Sequence, residues 1–192
     1  MWTHDSLDRL HMDLLAKRII AVEGDIDDRM GMYVHEAILR LMAVGSPPIK
    51  VLITSNGGSV FVGLAIYDLL RTYSGKSTGC IFGFAKSMGV IILQGCDERL
   101  CARHSLATIH HVSQREVNLD VLRDEERLTK VREELEADQA RLYKILSDRT
   151  GRSEEEVRVK CEVGRDLSSE EALEFGLIDK IVHTTLPASS PD

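Results

Sequence analysis

The chain has 192 residues and a formal net charge of −7, and its length suits one domain with a single core. An acidic balance without a basic cluster argues against a nucleic-acid partner. The amino terminus is polar and no apolar run approaches the roughly 18 residues of a membrane helix, so we expect a cytoplasmic protein with no membrane partner. The four cysteines have neither zinc-site nor disulfide spacing, and we expect reduced thiols, no metal and no cofactor.

Strand and helix patterns alternate in the first part of the chain. Residues 18–22 are rich in β-branched side chains and predict a strand, which is followed by apolar residues at helical spacing. Residues 49–54 are almost continuously apolar, the pattern of a strand buried on both faces. Gly57-Gly58 ends that strand, and a second helical pattern follows. This alternation predicts an α/β fold.

The pattern continues after residue 78. Residues 79–82 predict a strand, and a helix is expected to start near Ser87. Two further short strands are expected around residues 99–102 and 107–109. A capping-box signature at Ser168 predicts a last helix, after which a closing strand is expected.

Residues 118–149 form the longest helical candidate. Apolar residues recur there every seven positions, at Val121, Leu128, Leu135 and Leu142, among many charged side chains. Two interpretations are open: an amphipathic helix packed on its own domain, or a projecting helix that packs against a partner subunit. The pair Thr150-Gly151 predicts its end.

The segment GFAKSMG, residues 83–89, places Ser87 between two apolar runs. A serine at a strand-to-helix turn can expose its hydroxyl where the helix N-terminus favours a developing negative charge. Serine at a helix start is also a common N-cap. The segment alone leaves a nucleophile and a structural cap both open.

Two other features carry possible chemistry. Glycines such as Gly57-Gly58 allow a backbone N–H to approach a ligand closely, but they also form ordinary tight turns. His110-His111 could supply a base for a serine, because histidine has a suitable pKa in general, or it could be structural. Each feature alone is ambiguous.

Four segments together resemble the ClpP family, the proteolytic subunit of the ATP-dependent Clp protease. They are SNGGSVFVGLAIYDLL, GFAKSMG, ATIHH and SSEEALEFGLIDKIV, and they occur in the family's order. The resemblance extends over residues 14–182, which is most of the chain.

The resemblance implies an α/β fold of the ClpP/crotonase-like type, a β-α spiral with a protruding helical handle. Residues 1–192 would form one domain. A short N-terminal arm would reach about residue 13, the handle would occupy about 118–149, and residues 187–192 would be a frayed tail.

The resemblance also implies a serine endopeptidase that hydrolyses peptides or unfolded chains. Ser87 would be the nucleophile and His110 its base, and the backbone N–H groups of Gly58 and Met88 would form the oxyanion hole. The implied partners are copies of the chain in heptameric rings that can stack into a tetradecamer, and a Clp-type ATPase unfoldase.

The third member of the triad is the largest departure from the family pattern. In an alignment without gaps, the family's aspartate falls on Gly164, which has no side chain. We assign the role to Asp166, two residues further on. Two alternatives stay open: Glu162 supplies the acid, or Ser87 and His110 act as a dyad without one.

Other departures concern substrate binding and assembly. Asn56 replaces the family's proline before the glycines, and Lys86 replaces a small residue before the serine. Residues 112–117 contain neither the proline nor the glycines with which the family aligns bound peptide. Val163 stands where the family has an arginine that helps to join two rings.

These departures leave two further function classes to consider. The first is a weakly active or inactive ClpP-like subunit that works structurally in a mixed ring. The second is a crotonase-like acyl-CoA enzyme, because that fold is related and also uses backbone oxyanion holes.

Overall fold

The computed structural model describes residues 4–113 and 117–182. Over these ranges the chain forms one six-stranded sheet in the order β1-β2-β3-β4-β6, with β5 also beside β3. The strands are β1 (Ile19–Ile26), β2 (Ile49–Gly58), β3 (Ser77–Lys86), β4 (Glu98–Ala102), β5 (Leu106–Thr108) and β6 (Lys180–Val182). The helices are α1 (His4–Ala16), α2 (Asp28–Ala43), α3 (Val60–Thr72), α4 (Met88–Gly95), α5 (Leu119–Leu122), α6 (Glu125–Thr150), α7 (Glu154–Val163) and α8 (Ser169–Phe175).

The predicted α/β class is confirmed. Val22, Ile53 and Ile81 lie at the centres of β1, β2 and β3 and are fully buried. Every residue of α4 is buried too, so this helix packs inside the molecule rather than on its surface. Burial on both faces explains why the strand patterns are continuously apolar.

The sheet brings several strand ends to one edge. All strand pairs between the six strands are parallel, and β3 pairs first with β4, through residues 78–81, and then with β5, through residues 84–86. The carboxyl ends of β1, β2, β3 and β5 therefore meet at the same edge. Ligands of open parallel sheets bind at such edges.

The predicted long helix is interrupted. It consists of α5 and α6, because the Asp124 side chain accepts hydrogen bonds from the backbone N–H groups of Glu126 and Arg127 and caps a new helix start. Within α6 only Leu142 and Leu146 are buried, so its amino-terminal half lies largely in solvent. Gly151 ends α6 in the left-handed conformation, with φ of 73°, as the sequence predicts.

Two helices were not expected. Helix α7 is the first of them, although Ser153 and Glu156 form a capping box at its start. Helix α1 occupies most of the segment that was assigned to an N-terminal arm. The expected tail, 187–192, lies outside the described residues, and so does 114–116. Among the described helices, none combines the length and the apolar character that crossing a bilayer requires.

Arg99 joins the end of α6 to α4. Its side chain, 8% exposed, makes a bidentate ion pair with Asp179, with a shortest distance of 2.5 Å. It also donates to Gln94 of α4 at 2.6 Å and to the carbonyl of Arg149 in α6 at 3.0 Å. A buried arginine with all these acceptors is well satisfied. The network fixes the carboxyl-terminal half of α6 next to the helix that follows Ser87.

Candidate active site

Ser87 lies in a strained turn between β3 and α4. Its φ is 53° and its ψ is −122°, a conformation that costs a non-glycine residue about 1–3 kcal/mol and that clusters at active sites. The turn is held by β5, because the Ser87 N–H donates to the carbonyl of Thr108 at 2.8 Å. The hydroxyl makes no capping hydrogen bond with α4, so the interpretation of this side chain as an N-cap is wrong.

The glycine pair lets the end of β2 approach this turn. A Cβ atom at Gly57 would stand 2.7 Å from Cβ of Ser87 and 3.0 Å from the backbone nitrogen of Met88. A Cβ at Gly58 would collide with the carbonyl of Ile26. Glycine at both positions therefore lets the end of β2 lie close both to the turn that contains Ser87 and to the end of β1. The N–H groups of Gly58 and Met88 stay the expected oxyanion donors. Met88 is the first residue of α4, where N–H groups have no partner inside the helix.

His110 follows β5 and lines a cavity of about 610 Å³ together with Ser87, Gly57 and Gly58. Leu135 and Leu142 of α6 form part of an apolar wall. The lining also contains three carboxylates, and no lysine or arginine is among its described members. The carboxylates are those of Asp25, Glu134 and Asp138.

His111 points elsewhere. Its ring packs edge-on against Tyr143 of α6, with ring centroids 6.1 Å apart. Both histidines lie beyond β5, which ends at Thr108, so the alternation of a strand does not set their directions. The two side chains diverge because His111 packs on α6, not because a strand alternates.

The orientation of the His110 ring is set by the backbone. Its Nδ1 lies 2.6 Å from the carbonyl oxygen of His111. A carbonyl oxygen can only accept, so Nδ1 carries the proton in this arrangement. With the proton on Nδ1, the lone pair of Nε2 can serve as the base.

Asp166 contacts other partners. Its carboxylate accepts hydrogen bonds from Lys86 Nζ at 2.9 and 3.1 Å and from Thr108 Oγ1 at 2.5 Å. The hydrogen bonds from Thr108 and then Lys86 hold the pKa of Asp166 below its usual range. The carboxylate thus joins the ends of β3 and β5 and does not bond the His110 ring. This arrangement gives no support to Asp166 as the triad acid.

The two other positions near the expected acid differ from each other. Glu162 pairs with Arg158 at 3.3 Å, and its side chain is 64% exposed. Gly164, which ends α7, lies next to the histidine: a Cβ there would stand 3.6 Å from Cβ of His110, an ordinary contact distance. The alignment position of the family's aspartate therefore does face His110, but without a side chain.

The cysteines do not compete with Ser87 as nucleophiles. Cys80, Cys96, Cys101 and Cys161 are all buried, and burial raises the pKa of each thiol to about 12. A neutral thiol is a poor nucleophile, even in Cys161, which lines a small cavity with Ser87 and His110. Among the described side chains of residues 9–113 and 117–182, no three of the types His, Cys, Asp or Glu are grouped to hold a metal ion.

Gln139 of α6 is a site neighbour that the sequence analysis missed. Its Oε1 accepts the N–H of Val112 at 2.6 Å. The available signal was an uncharged polar residue between Leu135 and Leu142 on the inward side of an otherwise charged helix.

Comparison with known proteins assigns the family. The model of the Clp protease family matches residues 3–185, and the chain belongs to that family. It is 30% identical to ATP-dependent Clp protease proteolytic subunit 1 of Salinibacter ruber, over 88% of this chain and 72% of that protein. It is 29% identical to proteolytic subunit 3 of Rhodococcus jostii, over 92% of this chain and 93% of that protein.

A solved structure shares the fold. A ClpP1 mutant from Listeria monocytogenes superposes with a TM-score of 0.79 at 22% identity, covering 91% of this chain and 96% of that one. The predicted fold class, a ClpP-like arrangement of parallel strands and helices, is confirmed.

Proposed function

We propose that the chain is a serine endopeptidase subunit of a ring-shaped Clp-type protease that cleaves peptides or unfolded chains. One observation carries the proposal. Ser87 is held in a strained turn at the N-terminus of a buried helix, its hydroxyl does not cap that helix, and it shares a cavity with His110. Strained backbone and a base in one cavity are typical of a positioned nucleophile.

This geometry supports peptide hydrolysis in two reactions, acylation of Ser87 and then hydrolysis of the acyl-enzyme. Ser87 Oγ attacks the peptide carbonyl while its proton passes to His110 Nε2, and the oxyanion accepts hydrogen bonds from the N–H groups of Gly58 and Met88. His110 then protonates the leaving amine, and the C–N bond breaks. Water then attacks the acyl-enzyme while its proton passes to His110. The bond between the acyl carbon and Ser87 Oγ breaks, and His110 returns the proton to Oγ, which releases the acid and restores Ser87.

The two histidines give the test of this proposal. Replacing His110 with alanine is expected to lower kcat/KM for peptide hydrolysis by about 10³-fold or more, because the base is lost. His111→Ala, the matched control in the adjacent position, is expected to stay within about tenfold of the unmodified protein, because only packing on Tyr143 is lost. Neutral or basic fluorogenic peptides suit the assay, since the cavity lining contains carboxylates.

A larger loss from His111→Ala than from His110→Ala would refute the assignment of the base. Circular dichroism of both variants separates a lost base from a lost fold.

A second candidate function is favoured by one observation. The described residues bond no carboxylate to the His110 ring, which suits a weakly active or inactive subunit in a mixed ring. The same assay on the unmodified protein separates the two candidates. Membership in the Clp protease family leaves the acyl-CoA alternative without a supporting observation.

We further propose that copies of the chain form heptameric rings served by a Clp-type ATPase. Leu119, Leu122 and Leu128 are 55%, 54% and 39% exposed on α5 and α6, which suits burial against a neighbouring subunit. Stacking of two rings would have to do without the family's arginine, because Val163 stands there.

Native mass spectrometry at micromolar concentration is expected to show a heptamer or its double. The exposed leucines of α5 and α6 are expected to form the main contact between subunits of the ring. Leu122→Asp should therefore shift the distribution of oligomers towards smaller species. Leu173→Asp, a change at another exposed leucine on α8, is the control. Observation of monomer alone in the unmodified protein would contradict the ring.

A further inference from the structure

One peptide group next to the candidate base is hydrogen-bonded at both ends. The carbonyl oxygen of His111 lies 2.6 Å from Nδ1 of His110. The N–H of the same peptide group, which belongs to Val112, donates to Oε1 of Gln139 at 2.6 Å. The three groups form a continuous chain from α6 to the imidazole.

We propose that Gln139 is a positioning residue for His110, and that the peptide group between them takes the place of the missing triad acid. This inference deepens the proposed function, since it assumes that His110 is the base. Gln139 contacts neither substrate nor the reacting atoms; it acts through the peptide group.

Resonance in the peptide group couples its two ends. When the N–H donates to Gln139, the amide is polarised and its oxygen becomes a better acceptor for the Nδ1 proton. This acceptor would keep the proton on Nδ1 and leave Nε2 free for Ser87. It would also stabilise the imidazolium, though less than a carboxylate does, because hydrogen bonds to ionised acceptors are about twice as strong.

The position of Gln139 fits this role better than a purely structural one. It lines a small cavity with Ser87 and His110, next to Leu142 and Leu146, which are both buried. Its Nε2 is buried and has no hydrogen-bond partner among the described residues, so the amide is only half used. A leucine would fill the same space without that cost. The amide oxygen does make a hydrogen bond, which it accepts from the N–H of Val112.

Through these hydrogen bonds, the position of the His110 ring also depends on the position of α6. Gln139 lies on α6, so a shift of this helix moves the acceptor of the Val112 N–H. The carboxyl-terminal end of α6 is in turn fixed to α4 through Arg99.

Steady-state kinetics on two substitutions test the proposal. Gln139→Leu removes the acceptor and is expected to lower kcat about tenfold with KM within about twofold, the effect of one lost hydrogen bond. Gln139→Glu keeps an oxygen acceptor and is expected to retain most of kcat. Glu136→Leu, an exposed change one turn away on α6, is the control for helix stability and assembly.

The same substitution in a Gly164→Asp background distinguishes a positioning role of Gln139 from a purely structural one. In Gly164→Asp, a carboxylate is expected to take over Nδ1, so adding Gln139→Leu should then cost less than about twofold. A structural defect would cost the same factor in both backgrounds. Equal losses in the two backgrounds, or an unchanged kcat in Gln139→Leu, would overturn the proposal.

The tautomer of His110 can be measured whether or not the protein hydrolyses peptides. Nitrogen-15 NMR of histidine-labelled protein is expected to show the Nδ1–H form in the unmodified protein and a mixture in Gln139→Leu. An unchanged tautomer would overturn the positioning role even in an active enzyme. If the unmodified protein is inactive but the tautomer shifts, the positioning role stands and the proposed peptidase function fails.

Discussion

Replacing Ser87 with alanine is expected to lower kcat/KM for peptide hydrolysis by about 10⁴-fold or more, because the attacking oxygen is removed. The fold is expected to stay intact. Alanine keeps the Cβ that stands near Gly57, and the hydroxyl makes no capping bond whose loss would weaken α4. The melting temperature should therefore change little. Hydrolysis that persists in this variant would exclude Ser87 as the nucleophile.

Ser87→Gly is the matched comparison. It should be as inactive as the alanine variant but more stable, because glycine adopts a φ of 53° without strain. Relief of strain outweighs the added flexibility of the unfolded chain by about 1 kcal/mol. Differential scanning calorimetry measures the difference between the two variants. A glycine variant that melts below the alanine variant would show that the turn stores no strain.

Gly164→Asp is expected to raise kcat about ten- to a hundredfold, less than the roughly 10⁴-fold that an optimally placed triad acid contributes. A side chain at this position starts 3.6 Å from Cβ of His110 and 3.4 Å from the carbonyl of Cys161, so it fits without displacing backbone. The φ of 58° lies in the left-handed region, which aspartate tolerates better than most residues. The new carboxylate would compete with the His111 carbonyl for Nδ1 as the stronger acceptor.

Gly164→Asn is the control for the carboxylate. Asparagine has nearly the same shape and the same tolerance of the left-handed region, but it has no charge. It is expected to change kcat by less than about threefold, since a neutral amide stabilises an imidazolium weakly. Equal gains from both variants, or a loss from Gly164→Asp in a correctly folded protein, would show that position 164 does not act on His110.

The local patterns predicted most of the fold because each has a local cause. The apolar run 49–54 predicts a buried strand, and β2 is that strand, with Ile53 fully buried. Helix ends were predicted where one or two neighbouring residues determine them: the capping box of Ser168 with Glu171 and the left-handed Gly151 both occur. The break between α5 and α6 at Asp124 was not predicted. A seven-residue apolar pattern carries no information about one polar side chain that accepts hydrogen bonds from the backbone.

The site was predicted less completely, because its contacts join distant parts of the chain. The sequence singled out both Lys86 and Asp166, the first as a departure from the family and the second as a triad acid. It could not show that they bond each other, since they are separated by 80 positions. The contact between Gln139 and Val112 likewise depends on how α6 packs, which no local pattern specifies.

Labelling with a fluorophosphonate, followed by mass spectrometric mapping of the modified residue, tests the central claim most directly. The reagent reacts with an activated serine and reports the nucleophile whatever the peptide preference. We expect one adduct, on Ser87, which is lost in His110→Ala and retained in His111→Ala. A folded protein that takes no label, or an adduct on any other residue, would contradict a Ser87-His110 peptidase.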